Sequence, residues 1–154
     1  MRLLEILDRD GVAPALQGRD RASVIDELAR LVAQRVGGAA TAEILRARLL
    51  DREKDRSTGI GYGVAVPHGR APEVDRLVAI VGRTDAPIEF GAMDRRPCRL
   101  FFVLAAPENR PTDHLKALAR IAKLLKNESL RTRLLEAPDA DAMFDAIRVE
   151  DGKD

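Results

Sequence analysis

Ser57-Thr58-Gly59-Ile60-Gly61-Tyr62-Gly63-Val64-Ala65-Val66-Pro67-His68-Gly69-Arg70 is the stretch on which the reading of this chain turns. Three alternating glycines lead into an apolar run, and the run ends on one of only two histidines in the sequence. Val64-Ala65-Val66 reads as a strand that stops at Pro67, which has no N–H for a ladder. The same texture recurs twice downstream, at Leu77 to Val81 and at Leu100-Phe101-Phe102-Val103-Leu104-Ala105-Ala106, the latter stopped by Pro107. Unbroken apolar runs of this length suit strands covered on both faces by helices. Between the last two, Ala86 to Gly91 reads as loop plus a short strand.

Helical patterns flank these strands. Residues 2 to 8 suggest a short amphipathic turn or helix, and Val12 to Leu16 a strand that Pro14 restricts to a sheet edge or end. Asp20 is placed to cap a helix running to about Val36, with Val24, Leu28, Leu31, Val32 and Val36 on one face and Gly37-Gly38 ending it. Thr41 opens a second helix through Ile44, Leu45, Leu49 and Leu50 to about Arg52–Lys54. Pro111 and Thr112 start a third, with Leu115, Leu118, Ala122 and Leu125 as its stripe and Asn127 at its end. Leu130, Leu134 and Leu135 mark a fourth, stopped by Pro138, and Asp139 caps a last one carrying Met143, Phe144 and Ile147. The expected architecture is a single α/β domain over residues 1–150, a mixed sheet sandwiched between helices. Residues 151–154 read as a polar, frayed tail.

The 154 residues suffice for one sizeable core. Lys and Arg number 26 against 25 Asp and Glu, a formal charge of +1, which speaks against a nucleic-acid binder needing a basic face. No run approaches the ~18 apolar residues that cross a bilayer, so membrane insertion is not expected. The single cysteine, Cys98, forms no internal disulfide, which suits a reducing, cytoplasmic setting. Two histidines and one cysteine do not make a soft-ligand zinc site.

Gly59-Ile60-Gly61-Tyr62-Gly63 invites comparison with nucleotide-binding loops, and fails it. The dinucleotide fingerprint follows a strand and spaces its third glycine differently, and a P-loop needs Gly-Lys-Ser or Gly-Lys-Thr. The glycines instead read as a tight turn with positive backbone torsions. His68 lies just beyond a buried strand end, between Pro67 and Gly69, where ligands of α/β sheets collect. A neutral imidazole is a nucleophile near neutral pH. If it attacks phosphorus, the oxygens need stabilising charge. Arg52 is a candidate guanidinium for that purpose, although a helix C-terminal arginine is equally explained by the helix dipole. Ser57 and Thr58 offer hydroxyls, and the turn beginning at Gly59 offers backbone amides. His114, in the first turn of the helix after Pro111, could donate to a phosphoryl oxygen or orient a second imidazole; a solvated helix-start histidine is the alternative.

Ser57-Thr58-Gly59-Ile60-Gly61 followed by Gly63-Val64-Ala65-Val66-Pro67-His68-Gly69 resembles the active-site signature of the fructose/mannitol-type (type 2) EIIA domains of the bacterial phosphotransferase system. Arg52-Glu53 and Thr112-Asp113-His114-Leu115 extend the match, which covers about Leu3 to Ile147. The resemblance implies a mixed sheet with helices on both faces, no metal and no organic cofactor. It implies that His68 accepts a phosphoryl group, through Nε2, from HPr or a homologous phosphocarrier protein, with Arg52 and His114 forming the phosphoryl site. Tyr62 departs from the family, which usually has asparagine between the second and third glycines; either the turn differs or the ring serves a docking surface. A short chain without fused transfer domains is most similar to the nitrogen-regulatory branch. Partners of that branch include a potassium transporter, a sensor kinase or a metabolic enzyme. Transfer onward to an EIIB domain and sugar, or a phosphorylation-independent interaction module, are the competing expectations.

Overall fold

In the computed structural model, which describes residues 1–36 and 41–153, four side chains cap helices as their sequence positions require. Asp20, Thr41, Asn127 and Asp139 each accept a hydrogen bond from the backbone N–H three residues on, at 2.8 to 3.2 Å. Each such cap satisfies an otherwise orphaned donor and contributes about 1 kcal/mol. Asn127 is thus the start of a helix as well as the boundary of the one before it.

The chain runs through two short 3₁₀ turns, Leu3–Glu5 and Arg9–Gly11, into β1 (Val12–Leu16), α1 (Arg21–Ala33) and α2 (Ala42–Asp55). The segments β2 (Gly59–Gly61), β3 (Val64–Ala65) and β4 (His68–Ala71) follow, then β5 (Val78–Ile88) and β6 (Cys98–Pro107). Three helices close the chain: α3 (Pro111–Leu125), α4 (Glu128–Glu136) and α5 (Ala140–Asp151). The expected helix stop at Gly37-Gly38 lies outside the described residues. Strand β5 is longer than expected, absorbing Ala86 to Ile88 before the loop.

The strands form one mixed sheet in the order β1-β5-β6-β3-β2, with β4 also paired to β6. The central β5–β6 pair is antiparallel, while β1 pairs in parallel with β5, and β3 and β4 in parallel with β6. Pro14 is tolerated because β1 ends the sheet path.

Side-chain alternation on β6 accounts for its unbroken apolar run. Leu100, Phe102, Leu104 and Ala106 join the core under α3, α4 and α5, with Ile121, Leu130 and Ile147. Phe101, Val103 and Ala105 join the core under α1 and α2, with Ile25, Leu28 and Leu49. The sheet is therefore covered on both faces, the sandwich read from the sequence.

The frayed tail expected from residue 151 is corrected by the structure at its first residue. Helix α5 continues to Asp151, which is buried and accepts from the Leu3 and Leu4 N–H groups at 3.0 Å and from Arg120 Nε at 2.9 Å. A paired carboxylate ties the last helix to the first residues of the chain.

Candidate phosphoryl-transfer site

The strand Val64-Ala65-Val66 and the histidine after it are two pieces of one line beside β6. β3 pairs at Leu100 and Phe101, the ladder breaks at Val66-Pro67, and β4 resumes it with His68 opposite Leu104. His68 therefore begins a short strand instead of standing beyond the last one, a correction to the sequence reading. Strand β4 was not legible because His68-Gly69-Arg70-Ala71 has no β-branched or alternating pattern, and its pairing with β6 decides it.

Alternation along β4 sorts its side chains. Ala71 joins the core under α1 and α2, and a Cβ on Gly69 would lie 3.7 Å from Arg48 on α2. His68 and Arg70 take the other face. There His68 meets His114, which the first turn of α3 carries, with ring centroids 5.5 Å apart and planes 63° apart. His114 is 8% exposed, not on a solvated face, and its Nε2 is buried with no hydrogen-bond partner among the described residues. A buried, unpartnered imidazole nitrogen is a costly arrangement that a ligand would relieve.

His68 Nδ1 lies 2.7 Å from the Val66 carbonyl oxygen. A carbonyl only accepts, so Nδ1 carries the proton and the lone pair sits on Nε2. Burial, opposed by the Val66 hydrogen bond and reinforced by the Arg52 charge, holds the His68 pKa below the usual histidine value. Burial, then the neighbouring His68, then Arg70 push His114 down to about 4. Both shifts favour the neutral ring.

Both histidines line a cleft of about 490 Å³ together with Arg48, Arg52 and Arg70. Arg52 stands near the end of α2 and donates to the Arg56 carbonyl at 2.8 Å, which fixes its guanidinium on the cleft side of the helix end. Arg48 is one turn before it, and Arg70 donates to the Glu108 carbonyl at 3.3 Å. Asp51 and Glu108 are the acidic residues on the wall, and Leu115 and Leu118 form its apolar side. Three guanidinium groups around two neutral imidazoles make a site for an anion. Arg48 and Arg70 were missed by sequence reading; the i, i+4 spacing to Arg52 and the i, i+2 spacing to His68 were the available signals.

Ser57, Thr58 and Gly59 do not line the cleft. Ser57 Oγ donates to the Phe90 carbonyl at 2.7 Å and accepts from Gly59 N. Thr58 is buried and spends its N–H and hydroxyl on Glu53, the hydroxyl at 2.7 Å. Glu53, itself 4% exposed, thereby anchors the end of α2, and with it Arg52, to the start of β2. The glycine turn is also elsewhere. β2 and β3 form a hairpin whose tip, Tyr62-Gly63, meets β6 at Arg99 and Leu100, the end remote from His68. Gly61, Tyr62 and Gly63 have φ of 93°, 61° and 77°, the positive torsions expected of the turn. A Cβ on Gly59 would sit 2.6 Å from that of Ala92, so this glycine permits close packing.

The profile of the family described as "Phosphoenolpyruvate-dependent sugar phosphotransferase system, EIIA 2" matches residues 5–149. The chain belongs to this family. The EIIA domain is 38% identical to a nitrogen regulatory protein of Bradyrhizobium diazoefficiens over 96% of this chain and 95% of that one. It is 32% identical to the fructose-specific EIIABC component of Bacillus subtilis, matching 98% of this chain and 24% of that longer protein. Its fold is similar to the crystal structure of the nitrogen regulatory protein IIA-Ntr of Neisseria meningitidis, with a TM-score of 0.86 at 29% identity, covering 93% and 97% of the two chains. This EIIA domain is a phosphotransfer component most like the nitrogen-regulatory branch. Among the described residues no helix is long and apolar enough to cross a membrane.

Proposed function

We propose that this EIIA domain carries a phosphoryl group on His68 Nε2, received from the phosphohistidine of an HPr-like carrier, and that its output is regulatory. The observation that carries the reading is the His68 Nδ1–H bond to the Val66 carbonyl, which leaves a neutral ring with its lone pair on Nε2. In the transfer, the Nε2 lone pair forms the new N–P bond as the N–P bond to the donor imidazole breaks. The donor nitrogen takes back its electron pair. The Nδ1 proton stays on His68, and the Val66 carbonyl stabilises the positive charge that develops on the ring. Arg52 supplies fixed positive charge for the phosphoryl oxygens, and His114 supplies a neutral ring at the same cleft. The cleft also contains Arg70 and Arg48, which enlarge the positive field felt by an incoming phosphoryl group.

Two of the relatives described above are nitrogen regulatory proteins, which supports regulation as the output. Adding a phosphoryl dianion to a cleft lined by three arginines reverses its charge balance, and partner choice follows. The EIIABC composition of the Bacillus relative supports the second reading, onward transfer to an EIIB domain. Cytoplasmic action suits the free, buried Cys98.

Phosphoenolpyruvate with the upstream transfer proteins is expected to place an acid-labile, base-resistant phosphate on this domain. Phosphorus–nitrogen NMR should assign it to His68 Nε2. Full labelling of His68→Ala would overturn the assignment. Discharge of the labelled domain by an EIIB protein plus sugar, at a rate matching a sugar-transport EIIA, would replace regulation by transport.

A further inference from the structure

A second exposed surface lies at the other end of β6. Ile60, Tyr62 and Met93 are 43%, 55% and 82% exposed, the first two on the β2–β3 hairpin and the third on the loop after β5. Tyr62 N–H donates to Asp94 Oδ2 at 3.1 Å, and Gly59 packs on Ala92, so the β2–β3 tip and the 92–96 loop form one surface. Arg131 of α4 covers the Tyr62 ring, its guanidinium carbon 4.4 Å from the ring centroid. Arg95 and Arg96, both exposed, continue the rim.

Backbone strain concentrates at the same place. Among the described residues, Tyr62 and Arg95 are the non-glycine residues with positive φ, at 61° and 60°. Each costs on the order of 1 kcal/mol, and such torsions gather where a surface is used. The patch is outside the phosphoryl cleft. Gly63 bonds Arg99 and His68 pairs with Leu104, and five residues of strand separate these levels by roughly 17 Å.

We infer that Ile60, Tyr62 and Met93, rimmed by Arg95, Arg96 and Arg131, form a docking surface for an acidic protein segment bearing an apolar anchor. Charge complementarity selects this occupant. A second copy of the chain on a two-fold axis would set arginines against arginines, and like-charge juxtaposition opposes such a dimer. An acidic segment instead neutralises the rim while its anchor rests on the Met93 and Tyr62 side chains. The surface is physically separate from His68 and its cleft.

The test uses a glutamate-rich synthetic peptide with one central phenylalanine, titrated into the full chain and followed by methyl and aromatic NMR. Expected are saturable shifts at the Met93 methyl and the Tyr62 ring, weakening as salt is raised. The same peptide without phenylalanine, and a lysine-rich counterpart, should bind at least about tenfold more weakly. Arg95→Glu with Arg96→Glu should reduce binding of the first peptide by about tenfold or more, while Arg70→Ala leaves it unchanged. Phosphate uptake by His68 should be unaltered in the Arg95/Arg96 variant, which shows that it is folded. Shifts confined to the residues around Arg48, Arg52 and Arg70, no binding at all, or a concentration-dependent dimer through Met93 would each overturn the proposal.

Discussion

His68 and His114 come from elements 46 residues apart in sequence, yet their rings meet edge to face with centroids 5.5 Å apart. One ring has its Nδ1 proton held by the Val66 carbonyl, and the other has a buried Nε2 with no partner among the described residues. The two therefore have different tasks despite identical chemistry. In the proposed transfer His68 is the nucleophile, and His114 is the group held neutral beside it.

This asymmetry predicts a specific titration. By histidine NMR, His114 should stay neutral down to a pKa of about 4, and the His68 pKa should lie below the ordinary histidine value. Because both pKa values are lower folded than unfolded, the unfolded chain binds more protons below pH 6.5. The histidine contribution to stability should thus fall as pH drops through that region and be spent near pH 4, with His114 responsible for a loss on the order of 3 kcal/mol. A His114→Gln variant whose stability retained the same dependence between pH 6.5 and 4 would contradict this origin.

Arg52 and Arg70 should separate kinetically. Arg52→Ala removes a charge fixed on the Arg56 carbonyl beside the reacting group, and transfer to His68 should slow by about 10²-fold or more. Arg70→Ala should slow it less, and should raise the His114 pKa toward the ordinary value because one of its depressing charges is gone. Rapid-quench phosphorylation with the carrier protein, together with NMR titration, reads both effects. Equal rates in Arg52→Ala and the wild type would remove Arg52 from the site.

Thr58 is expected to matter for stability and not for chemistry. Thr58→Val deletes the 2.7 Å bond to buried Glu53 and should cost about 1–3 kcal/mol in urea unfolding. The rate per folded molecule should change by less than about threefold, since the Thr58 N–H still bonds Glu53 and Arg52 keeps its bond to the Arg56 carbonyl. A stable variant with a large rate defect would return Thr58 to the phosphoryl site.

Asp151 offers the largest predicted effect on stability. Asp151→Ala removes the carboxylate to which the buried Arg120 Nε and two N–H groups of the first 3₁₀ turn donate, and should cost about 3–5 kcal/mol. Hydrogen exchange at Leu3 and Leu4 should accelerate in parallel. Exchange unchanged at those amides would show that Asp151 is not what holds the chain's start.

Tyr62→Asn tests the strained turn. Asparagine tolerates φ of 61° better than tyrosine, which favours the variant by roughly 0.5–1 kcal/mol, while loss of the Arg131 stack costs a similar amount. Thermal unfolding should therefore change by less than about 1 kcal/mol, with Arg131 resonances moving. A loss of several kcal/mol would mean that the ring is a structural support.

Local chemistry was enough for much of this molecule. The caps at Asp20, Thr41 and Asp139 and the proline start at Pro111 act within three or four residues, and the helices begin there. The apolar runs at Leu77 and Leu100 needed no partner to read as buried strands. The Pro67-His68-Gly69 element, set after the glycine turn and flanked by Arg52-Glu53 and Thr112–Leu115, carried the family resemblance. What tertiary structure alone decided depends on residues distant in sequence. β2 and β4 are strands because β3 and β6 pair with them, not because Gly59–Gly61 or His68–Ala71 prefer to be extended. The Thr58 hydroxyl looked available for phosphate until the fold placed Glu53 beneath it. Arg48 and Arg70 acquired a role when α2 packed along β4 and the α3 terminus closed the cleft. Asp151 looked like tail until Arg120 and the first 3₁₀ turn met it. Caps and apolar runs are local and can be read along the chain, whereas the direction and company of a polar side chain depend on what the packed core sets opposite it.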